Sequence, residues 1–433
     1  IQSNTTFYNV DVSATSCMAI ANNVDITVNR LHLKSTSSGD ASIDLYCITT
    51  SCNCDVTIND SVIVERYVPN NSNNWHIVSP SLPNQTTNNF NGFYMHKYDE
   101  SSHAFVNLAK NESLNEGQGY FARNPSNTTV RFASKTLHTY DYGTPYSIGI
   151  TKTDDDGWNL VGNPYTSVCR FDKVSATNLQ SITLTNVNNL IQTWTGSSYN
   201  GVDLSSTYYK CPIGQGFWVQ ATAATGTINL DDRGMWGQAT ESFTKTEETG
   251  ISEYDSLLLL QTNYLQINLT GNGVIDMKTV IRFNNNSTND FDNEYDLEKW
   301  EGDLNYPQIN TRNAFNSEDS LIYEYNTVPT PTTLLTVPME FTSLKSGTFT
   351  LEPKYQSTFD GLWKILLEDL KTNTTTDFTD TAAYTFTSDS TQYDPRFLVH
   401  FIGLTSYNNL NSKNAAVSIF VYKSTIYIDQ KNA

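Results

Sequence analysis

Residues 157–164 read Gly-Trp-Asn-Leu-Val-Gly-Asn-Pro, and residues 213–220 read Ile-Gly-Gln-Gly-Phe-Trp-Val-Gln. Both stretches have an earlier counterpart, since residues 75–80 read Trp-His-Ile-Val-Ser-Pro and residues 116–123 read Glu-Gly-Gln-Gly-Tyr-Phe-Ala-Arg. We call the Trp motif the head and the Gly-Gln-Gly motif the tail of each copy. The heads lie 83 residues apart and the tails 97, with the order kept. This pattern indicates two copies of one supersecondary unit, stacked or paired in a single β-rich body.

The chemistry of the two motifs is structural. The head is an apolar alternation that ends at a Pro or at Asn-Pro, and proline cannot continue a hydrogen-bonded ladder. The tail begins with glycines that permit a positive φ and continues into a strand that starts on a large ring. The two motifs therefore predict a strand, a turn and a second strand in each copy, and neither motif contains a catalytic group.

The composition favours strands throughout the chain. Charged residues make up only 16% of the 433 residues, while Tyr (25) and Phe (20) are abundant. Helix-forming residues are scarce relative to those that favour strands and turns. We predict an all-β protein of tandem antiparallel β-sandwich domains, jelly-roll-like in type, with an internal duplication.

The charge balance excludes one class of partner. With 26 Lys+Arg against 45 Asp+Glu the net charge is −19, and nucleic-acid binding requires a basic footprint instead. No apolar run approaches the ~20 residues of a membrane-spanning helix. A chain that opens on Ile1 rather than Met is expected to be already processed.

Composition shifts divide the chain into four predicted segments. Short strands separated by polar turns predict an N-terminal β-layer over 1–67, followed by the duplicated unit over 68–245. An acidic stretch at 240–250 predicts a linker to a C-terminal β-sandwich over 250–403. After a second polar linker, 415–433 predicts a terminal strand hairpin, which is marginal alone in water and must pair with something.

Six cysteines are present. Cys169 and Cys211 both lie inside the second copy and both lack a counterpart in the first copy, which favours a disulfide between them. Cys17, Cys47, Cys52 and Cys54 cluster near the N-terminus and allow three connectivities. Zinc binding by Cys47, Cys52 and Cys54 is the rival interpretation, although their spacing differs from that of zinc fingers.

Several motifs resemble those of surface and extracellular proteins that Bacteroidota export by type IX secretion. The resemblance is carried by the heads and tails and, in the later module, by Ile281-Arg282-Phe283, Asn289–Lys299, Gly347-x-Phe349-x-Leu351, Leu367-Glu368-Asp369 and Asp394-x-Arg396-Phe397. Residues 417–428 are similar to the opening strands of the C-terminal sorting domain, whose remaining strands are missing here. The resemblance implies export and a β architecture, and it specifies neither ligand nor activity.

The same resemblance implies O-glycosylation at Asp-(Ser/Thr)-hydrophobic or Asp-(Ser/Thr)-Thr triplets. Short motifs of this kind also arise by chance in a Ser/Thr/Asp-rich chain. The five matching hydroxyl residues are Ser61, Ser256, Ser320, Thr381 and Ser390.

Two acidic clusters are candidate Ca²⁺ sites, because hard cations take several oxygens from one loop. They are Asp154 with Asp156, and Asp290 with Asp292 and Asp296; neither has EF-hand spacing, and turn-forming Asp is the alternative. Ca²⁺ is the one cofactor that they suggest. His96 and His103 flank a short acidic stretch without forming a known metal or catalytic motif. Four aromatic residues could stack on sugars or pack in the core: Trp194, Tyr199, Tyr208 and Tyr209.

The sequence therefore predicts a non-enzymatic, extracellular or cell-surface structural protein. We expect the protein to be the subunit of a filament, in which its partners are copies of itself joined head-to-tail by strand addition. The expected donor is the C-terminal hairpin, with residues 5–13 as the other possibility. The hairpin residues expected to form the inter-subunit strands are Val417, Ile419, Val421, Ile426 and Ile428. The alternative is a monomeric adhesin or glycan-binding module that recognises surface glycans.

Overall fold

The structure is a computed structural model that describes the chain up to residue 431. The residues outside the description are 22–23, 46–55, 70–74, 124–125, 138–144, 154–155, 172–180, 195–198, 206–207, 232–234, 237–262, 272–276, 293–294, 301–306, 317–320, 360–362, 380–382, 390–392, 404, 407–415, 423–424 and 432–433. For the strands after residue 404, the backbone pairing is described below. The predicted 240–250 linker falls outside the described residues.

The predicted all-β fold is confirmed. Strands make up about 62% of the structure and helix about 4%, without a helix of seven or more residues in the described part. The chain divides into two compact units, Ile1–Asp255 and Ser256–Ala433, which we call unit 1 and unit 2. The predicted N-terminal layer and the duplicated segment thus share unit 1.

Unit 1 begins with a stack of parallel strands. Its strands are β1 Thr5–Val12, β2 Cys17–Ile20, β3 Ile26–Leu33, β4 Ser35–Thr36, β5 Gly39–Asp40, β6 Ser42–Leu45 and β7 Val56–Val68. β1, β3 and β7 run parallel, so that Val12, Leu33 and Val64 lie in one row. β2 and β6 are likewise parallel, with Met18 opposite Ile43. Successive turns of the chain therefore lie on top of one another, as in a short β-solenoid.

The parallel direction differs from the antiparallel arrangement expected for this segment. Alternating apolar residues have the same period of two in parallel and antiparallel strands, so the pattern does not report direction. The length of the connection between two strands does indicate their direction, because antiparallel neighbours can be joined by short turns. Here residues 13–25 separate β1 from β3. The interior of the stack is apolar, with Val28, Leu31 and Ile43 fully buried.

The duplicated segment supplies the rest of unit 1. The first copy contributes β8 Trp75–Val78, β9 Gln85–Thr86, β10 Tyr94–Asp99, β11 Ala104–Asn107, β12 Ser113–Leu114, β13 Tyr120–Arg123 and β14 Thr128–Ser134, with 3₁₀ turns at Thr87–Phe90 and Glu100–Ser102. The second contributes β15 Tyr146–Thr151, β16 Trp158–Gly162, β17 Val168–Phe171, β18 Ile182–Thr185, β19 Leu190–Trp194, β20 Tyr199–Asp203, β21 Tyr209–Cys211, β22 Gly216–Gln220, β23 Thr225–Leu230 and β24 Met235–Trp236.

Head and tail pair in the same register in both copies. In the first copy β8 pairs antiparallel with β13, and Val78 lies opposite Tyr120. In the second copy β16 pairs antiparallel with β22, and Val161 lies opposite Phe217. These pairs are equivalent under the spacing of the two motifs, so the sequence repeat is a repeat of hydrogen-bonded structure.

The two copies also bond to each other, head to tail and tail to head. A bridge joins Gln118 of the first tail to Val161 of the second head, and an equivalent bridge joins Gln215 to Val78. The Gly162 N–H donates to the Gly117 carbonyl at 2.9 Å, and its counterpart, the Ser79 N–H, donates to the Gly214 carbonyl at 2.8 Å. The copies therefore form a reciprocal pair, with the bonding pattern of a two-fold arrangement.

Glycine is required at two equivalent pairs of positions in the tails. Gly117 and Gly214 adopt φ of 72° and 68°, a left-handed conformation that disfavours side chains. Gly119 and Gly216 lie where the copies cross. A Cβ on Gly119 would come 2.6 Å from the Val161 carbonyl oxygen, and one on Gly216 would come 2.4 Å from an Ile77 methyl carbon. The Gly-x-Gly spacing thus combines a turn with a close backbone approach.

Unit 2 contains one large, mostly antiparallel sheet. Its strands are β25 Tyr264–Gly271, β26 Met277–Phe283, β27 Leu297–Glu298, β28 Gln308–Arg312, β29 Ile322–Val328, β30 Leu334–Thr342, β31 Gly347–Lys354, β32 Trp363–Asp369, β33 Thr374–Asp377, β34 Tyr384–Ser388 and β35 Tyr393–Gly403, with a 3₁₀ turn at Gln356–Phe359. The order across the sheet is β33-β32-β35-β30-β28-β29-β26-β25-β31-β34, and β27 pairs with β29. Only the β26–β29 pair in this order is parallel.

The sheet of unit 2 folds over to form a sandwich. Phe283 on β26 and Phe401 on β35 are not on neighbouring strands, yet their ring centroids lie 5.1 Å apart. Phe341 on β30 contacts Phe349 on β31 in the same way, at 4.9 Å. The apolar core therefore lies between the two halves of one sheet.

Buried ion pairs accompany this core. Arg396 and Asp369 have side chains that are 2% and 0% exposed and lie 3.0 Å apart. Lys299 and Glu324, at 2% and 0%, also lie 3.0 Å apart. Their desolvation is costly unless the partner stays in place, so one pair holds β35 to β32 and the other holds the residue after β27 to β29.

The chain closes with a small separate sheet, whose strands are β36 Thr405–Ser406, β37 Ala416–Tyr422 and β38 Thr425–Lys431. β37 and β38 form an antiparallel hairpin in which Ile419 lies opposite Ile428. β36 pairs with β37 at Thr405 and Ser406. We call these three strands the end sheet.

Candidate functional site

β1 provides an open strand edge. It lies at one end of the sheet β1-β3-β7-β14 and pairs with β3 along its inner edge. Among the described residues, no strand pairs with its outer edge. Thr6, Tyr8 and Asn9 are exposed there, and Tyr8 is 78% exposed. Such an edge presents backbone N–H and C=O groups to which another strand can be added.

The opposite edge of the same sheet, at β14, is covered by side chains. The amide of Asn89 donates to the Arg131 carbonyl at 2.9 Å. The amide of Gln85 donates to the Ala133 carbonyl at 2.9 Å and accepts from the Ala133 N–H at 3.4 Å. Gln85 is 3% exposed, so this cover is built into the fold. One edge of the sheet is therefore closed to strand addition and the other is open.

A ladder of ionisable side chains crosses the parallel stack close to the open edge. His32 on β3 lies 2.9 Å from Glu65 on β7 and 3.6 Å from Asp11 on β1. Lys34 lies 3.3 Å from Asp11, whose side chain remains 57% exposed. The ladder connects successive strands of the stack and ends in a carboxylate at the open edge.

The end sheet carries the residues predicted to join subunits. Val417, Ile419 and Val421 lie on β37, and Ile426 and Ile428 lie on β38. β38 is an edge strand, and its pairing within the described residues is with β37 alone. Its role as a donor to another copy stays a prediction.

Unit 1 also contains a cleft between the two copies of the repeat. Its volume is about 610 Å³, and its walls come from β10 and the following 3₁₀ turn, the first tail, β15 and the second head. The wall residues are Lys97–Ser101, Glu116–Gln118, Tyr146–Thr151 and Asn159–Val161. The cleft is therefore a product of the duplication.

Two of the three acidic residues of the cleft are committed to the fold. Glu100, 7% exposed, accepts hydrogen bonds from the Thr151 hydroxyl at 2.9 Å and from the Thr153 N–H and hydroxyl, both at 2.7 Å. Asp99 accepts from the Ser101 N–H and hydroxyl, and the Ser101 side-chain bond is the main cause that lowers the pKa of Asp99. The Asp99 carboxylate holds its local turn, whereas that of Glu100 ties the 3₁₀ turn of the first copy to Thr151 and Thr153.

The third carboxylate, Glu116, is different. Its Oε1 atom is buried and accepts no hydrogen bond from any described residue. Burial raises the pKa of Glu116 to about 7, since desolvation disfavours the charged form. The nearby Tyr146 hydroxyl donates to the Glu116 backbone carbonyl at 3.0 Å. Glu116 is thus the acidic residue of the cleft wall with a buried oxygen that no described residue binds, and the sequence did not predict it.

The predicted calcium residues do not converge on a site. Asp154 lies outside the described residues, and Asp156 lies 3.7 Å from His103. Asp296 accepts from the Thr327 N–H at 2.6 Å and the Asp292 N–H at 2.9 Å, and burial raises its pKa to about 7. The described residues contain no cluster of three His, Cys, Asp or Glu that could hold a metal ion. Asp290 is exposed in the same loop, and a Ca²⁺ role for these residues stays untested.

The predicted disulfide partners lie directly opposite each other, Cys169 on β17 and Cys211 on β21. Both are buried, but the described cysteines form no disulfide in the structure. The Cys169 thiol donates to Asn163 Oδ1 at 3.3 Å, and the Cys211 thiol donates to the Gln215 carbonyl at 3.5 Å. A disulfide here therefore remains a prediction. Cys17 lies on β2, and Cys47, Cys52 and Cys54 lie outside the described residues.

Of the five predicted glycosylation sites, Ser61 alone lies within the described residues. It is partly exposed on β7, with its hydroxyl 3.4 Å from Asp60. Ser256, Ser320, Thr381 and Ser390 fall outside them. Modification of these residues stays a prediction.

The aromatic candidates pack within unit 1. The Trp194 indole donates to the Trp75 carbonyl and its ring lies 4.7 Å from Tyr199. The Arg170 guanidinium lies 3.9 Å over the Tyr208 ring, and Tyr209 is 3% exposed. The ring of His96 lies 4.7 Å from that of Trp75. These contacts favour the packing interpretation over sugar stacking at these rings.

The chain is thus an all-β protein of two units, with a reciprocal internal duplication in the first. Residues 208–401 match the profile of a domain of unknown function (DUF8693), which covers the last part of unit 1 and most of unit 2. Neither the curated proteins nor the solved structures contain a match. The described residues include no helix with the length and apolar character of a membrane span.

Proposed function

We propose that this protein is a non-enzymatic structural subunit of an extracellular filament, in which copies join by strand addition at the outer edge of β1. The main observation in support of this proposal is that the two edges of the β1-β3-β7-β14 sheet differ. Side chains of Gln85 and Asn89 cover its β14 edge, whereas the β1 edge faces no strand among the described residues.

The sequence of β1 has little of the usual protection of an edge strand, since its one charged residue is Asp11. Its residues read Thr-Thr-Phe-Tyr-Asn-Val-Asp-Val, without a lysine or a proline. Proteins that avoid edge-to-edge association place such residues on exposed edges. β1 is instead rich in residues of high strand propensity, and an added strand would continue the register of a stack that is already three strands deep.

The end sheet supplies the complementary surface. β38 is a seven-residue edge strand, and its hairpin contains the predicted joining residues. A contact between the C-terminal strands of one copy and the β1 edge of the next is heterologous, because two different surfaces meet. Heterologous contacts that do not close into a ring produce a fibre.

Export and O-glycosylation belong to the same proposal, and they rest on the resemblance to type IX secretion substrates. A net charge of −19 suits a self-repelling surface protein. The alternative function is that of a monomeric adhesin or glycan-binding module at the cell surface.

The test blocks the open edge with charge. In the double variant T6K/Y8K both substitutions replace exposed side chains, so the fold should be retained while strand addition is opposed. The matched control is T129K/A133K on β14, the covered edge of the same sheet. Sedimentation velocity and negative-stain imaging should show fibres for the wild type and the control, and folded monomers for T6K/Y8K.

Two outcomes would overturn the proposal. Fibres formed equally well by T6K/Y8K would exclude the β1 edge as the joint. A wild-type protein that remains monomeric at high concentration would exclude the filament altogether. Deletion of residues 415–433 separately tests the donor, and persistent fibres would place it elsewhere.

A further inference from the structure

Glu116 breaks the equivalence of the two copies. Its counterpart in the second tail is Ile213, which is fully buried. The neighbouring positions match closely, since Gly117 and Gly214 share a positive φ and Gln118 and Gln215 form equivalent bridges. A carboxylate therefore occupies, in the first copy alone, a position that the fold fills with an apolar side chain in the second.

This substitution is unfavourable for stability. A buried carboxylate oxygen without a hydrogen-bond partner loses its hydration and gains nothing in return. Groups whose environment is costly to the fold are concentrated at functional sites. Glu116 also lines the cleft of about 610 Å³, within the range of small-molecule sites.

The chemistry of the cleft selects a ligand class. Glu100 accepts three hydrogen bonds and Asp99 accepts two, and the described residues offer no cluster of three His, Cys, Asp or Glu for a metal ion. A net charge of −19 disfavours anions. Lys97 on the cleft wall pairs with Glu112 at 3.3 Å. What remains is one carboxylate acceptor beside hydroxyl and amide groups, with Tyr146 on the wall as the aromatic residue that can supply ring surface. Neutral polyhydroxyl compounds combine hydroxyl donors with apolar C–H faces that match such a lining.

We propose that the cleft between the two copies binds a neutral carbohydrate, with the Glu116 carboxyl accepting a hydrogen bond from a sugar hydroxyl. The site is distinct from the proposed assembly edge. A subunit could therefore carry it in a filament or as a monomer.

The test is affinity electrophoresis of the T6K/Y8K protein through gels that contain laminarin, glucomannan, xylan or dextran. Using the edge-blocked variant makes failure of this proposal distinguishable from failure of the filament. At least one neutral polymer should retard the protein. Adding E116I, which installs the residue of the second copy, should weaken that retardation by about tenfold or more, the cost of losing a hydrogen bond to a carboxyl. The control E352I replaces a partly exposed glutamate of unit 2 and should leave it unchanged.

The E116I variant should fold, because it removes a carboxylate whose Oε1 atom is buried without a hydrogen bond. Its denaturation midpoint, measured in parallel, should equal or exceed that of the parent. Three outcomes would overturn the proposal. They are no retardation by any neutral polymer, equal retardation of the E116I variant and its parent, and retardation by the acidic polymer alginate alone.

Discussion

At the scale of single residues, His76 shows how burial controls protonation in the duplicated unit. It is 2% exposed and bonds to the Pro69 carbonyl at 3.2 Å. Burial is the main cause that lowers the pKa of His76 to about 4 from 6.5. Its counterpart in the second head is Asn159, an uncharged residue that donates to the Thr151 and Gly157 carbonyls.

The variant H76N should therefore flatten the acid limb of the stability curve. Between pH 6.5 and 4 the unfolded chain binds a proton at His76 that the folded chain does not, so wild-type stability falls as pH falls. The wild type should lose on the order of 3 kcal/mol more than H76N between pH 7 and pH 4. Urea denaturation at several pH values measures this. Because other titrating groups are common to both proteins, parallel curves would contradict it.

In unit 2, Asp369 shows how hydrogen bonds can control the protonation of a buried group. Burial opposes its ionised form, but hydrogen bonds from Arg396 and Tyr384 outweigh burial and lower the pKa of Asp369. The pair with Arg396 has no solvent to screen it, since the two side chains are 0% and 2% exposed.

We expect D369N to destabilise unit 2 by about 3–5 kcal/mol, because it leaves a buried guanidinium without its counter-charge. The control D389N makes the same chemical change at the Lys371 pair, where Asp389 is 65% exposed, and should cost less than about 0.5 kcal/mol. Chemical denaturation followed by tryptophan fluorescence compares the two. Equal effects would show that burial of the Arg396 pair is not what matters.

At the scale of elements, the sequence predicts the strands well and their directions less well. The strands predicted for the two heads and the second tail are present as β8, β16 and β22. The motifs were informative because proline and glycine have specific backbone consequences. The parallel stack was not predicted, because period-two alternation is common to both strand directions.

The site residues were harder to predict than the strands. Gln85, Asn89 and Glu116 are ordinary polar residues in a polar chain, and their roles follow from which backbone or cleft they reach. One signal was present for Glu116, since aligning the tails places it opposite Ile213. No comparable signal marks Gln85 or Asn89, whose contacts with β14 join distant parts of the chain.

The crossing of the two copies gives an element-scale prediction. G216A should destabilise unit 1 by about 1–3 kcal/mol, because the added methyl would lie 2.4 Å from an Ile77 methyl carbon and 2.9 Å from the Val161 carbonyl oxygen. The control is G149A on β15, where a Cβ would meet nothing within 4 Å. Thermal denaturation monitored by circular dichroism checks both. A neutral G216A would mean that the copies can separate at no cost, which contradicts the reciprocal pairing.

At the scale of the whole molecule, the net charge of −19 opposes association of identical copies. Strand addition joins backbone groups and apolar side chains, and so it has no ion pairs to lose when salt is added. Raising the ionic strength from 0.01 to 0.15 M shortens the screening length from about 30 to about 8 Å. We therefore expect the filament to form at a lower protein concentration at the higher salt, as measured by pelleting and sedimentation velocity.

T6K/Y8K should stay monomeric at both salt concentrations, which separates specific assembly from salt-induced precipitation. Assembly that weakens with added salt would instead indicate joints made of ion pairs, and it would contradict strand addition as the joining interaction.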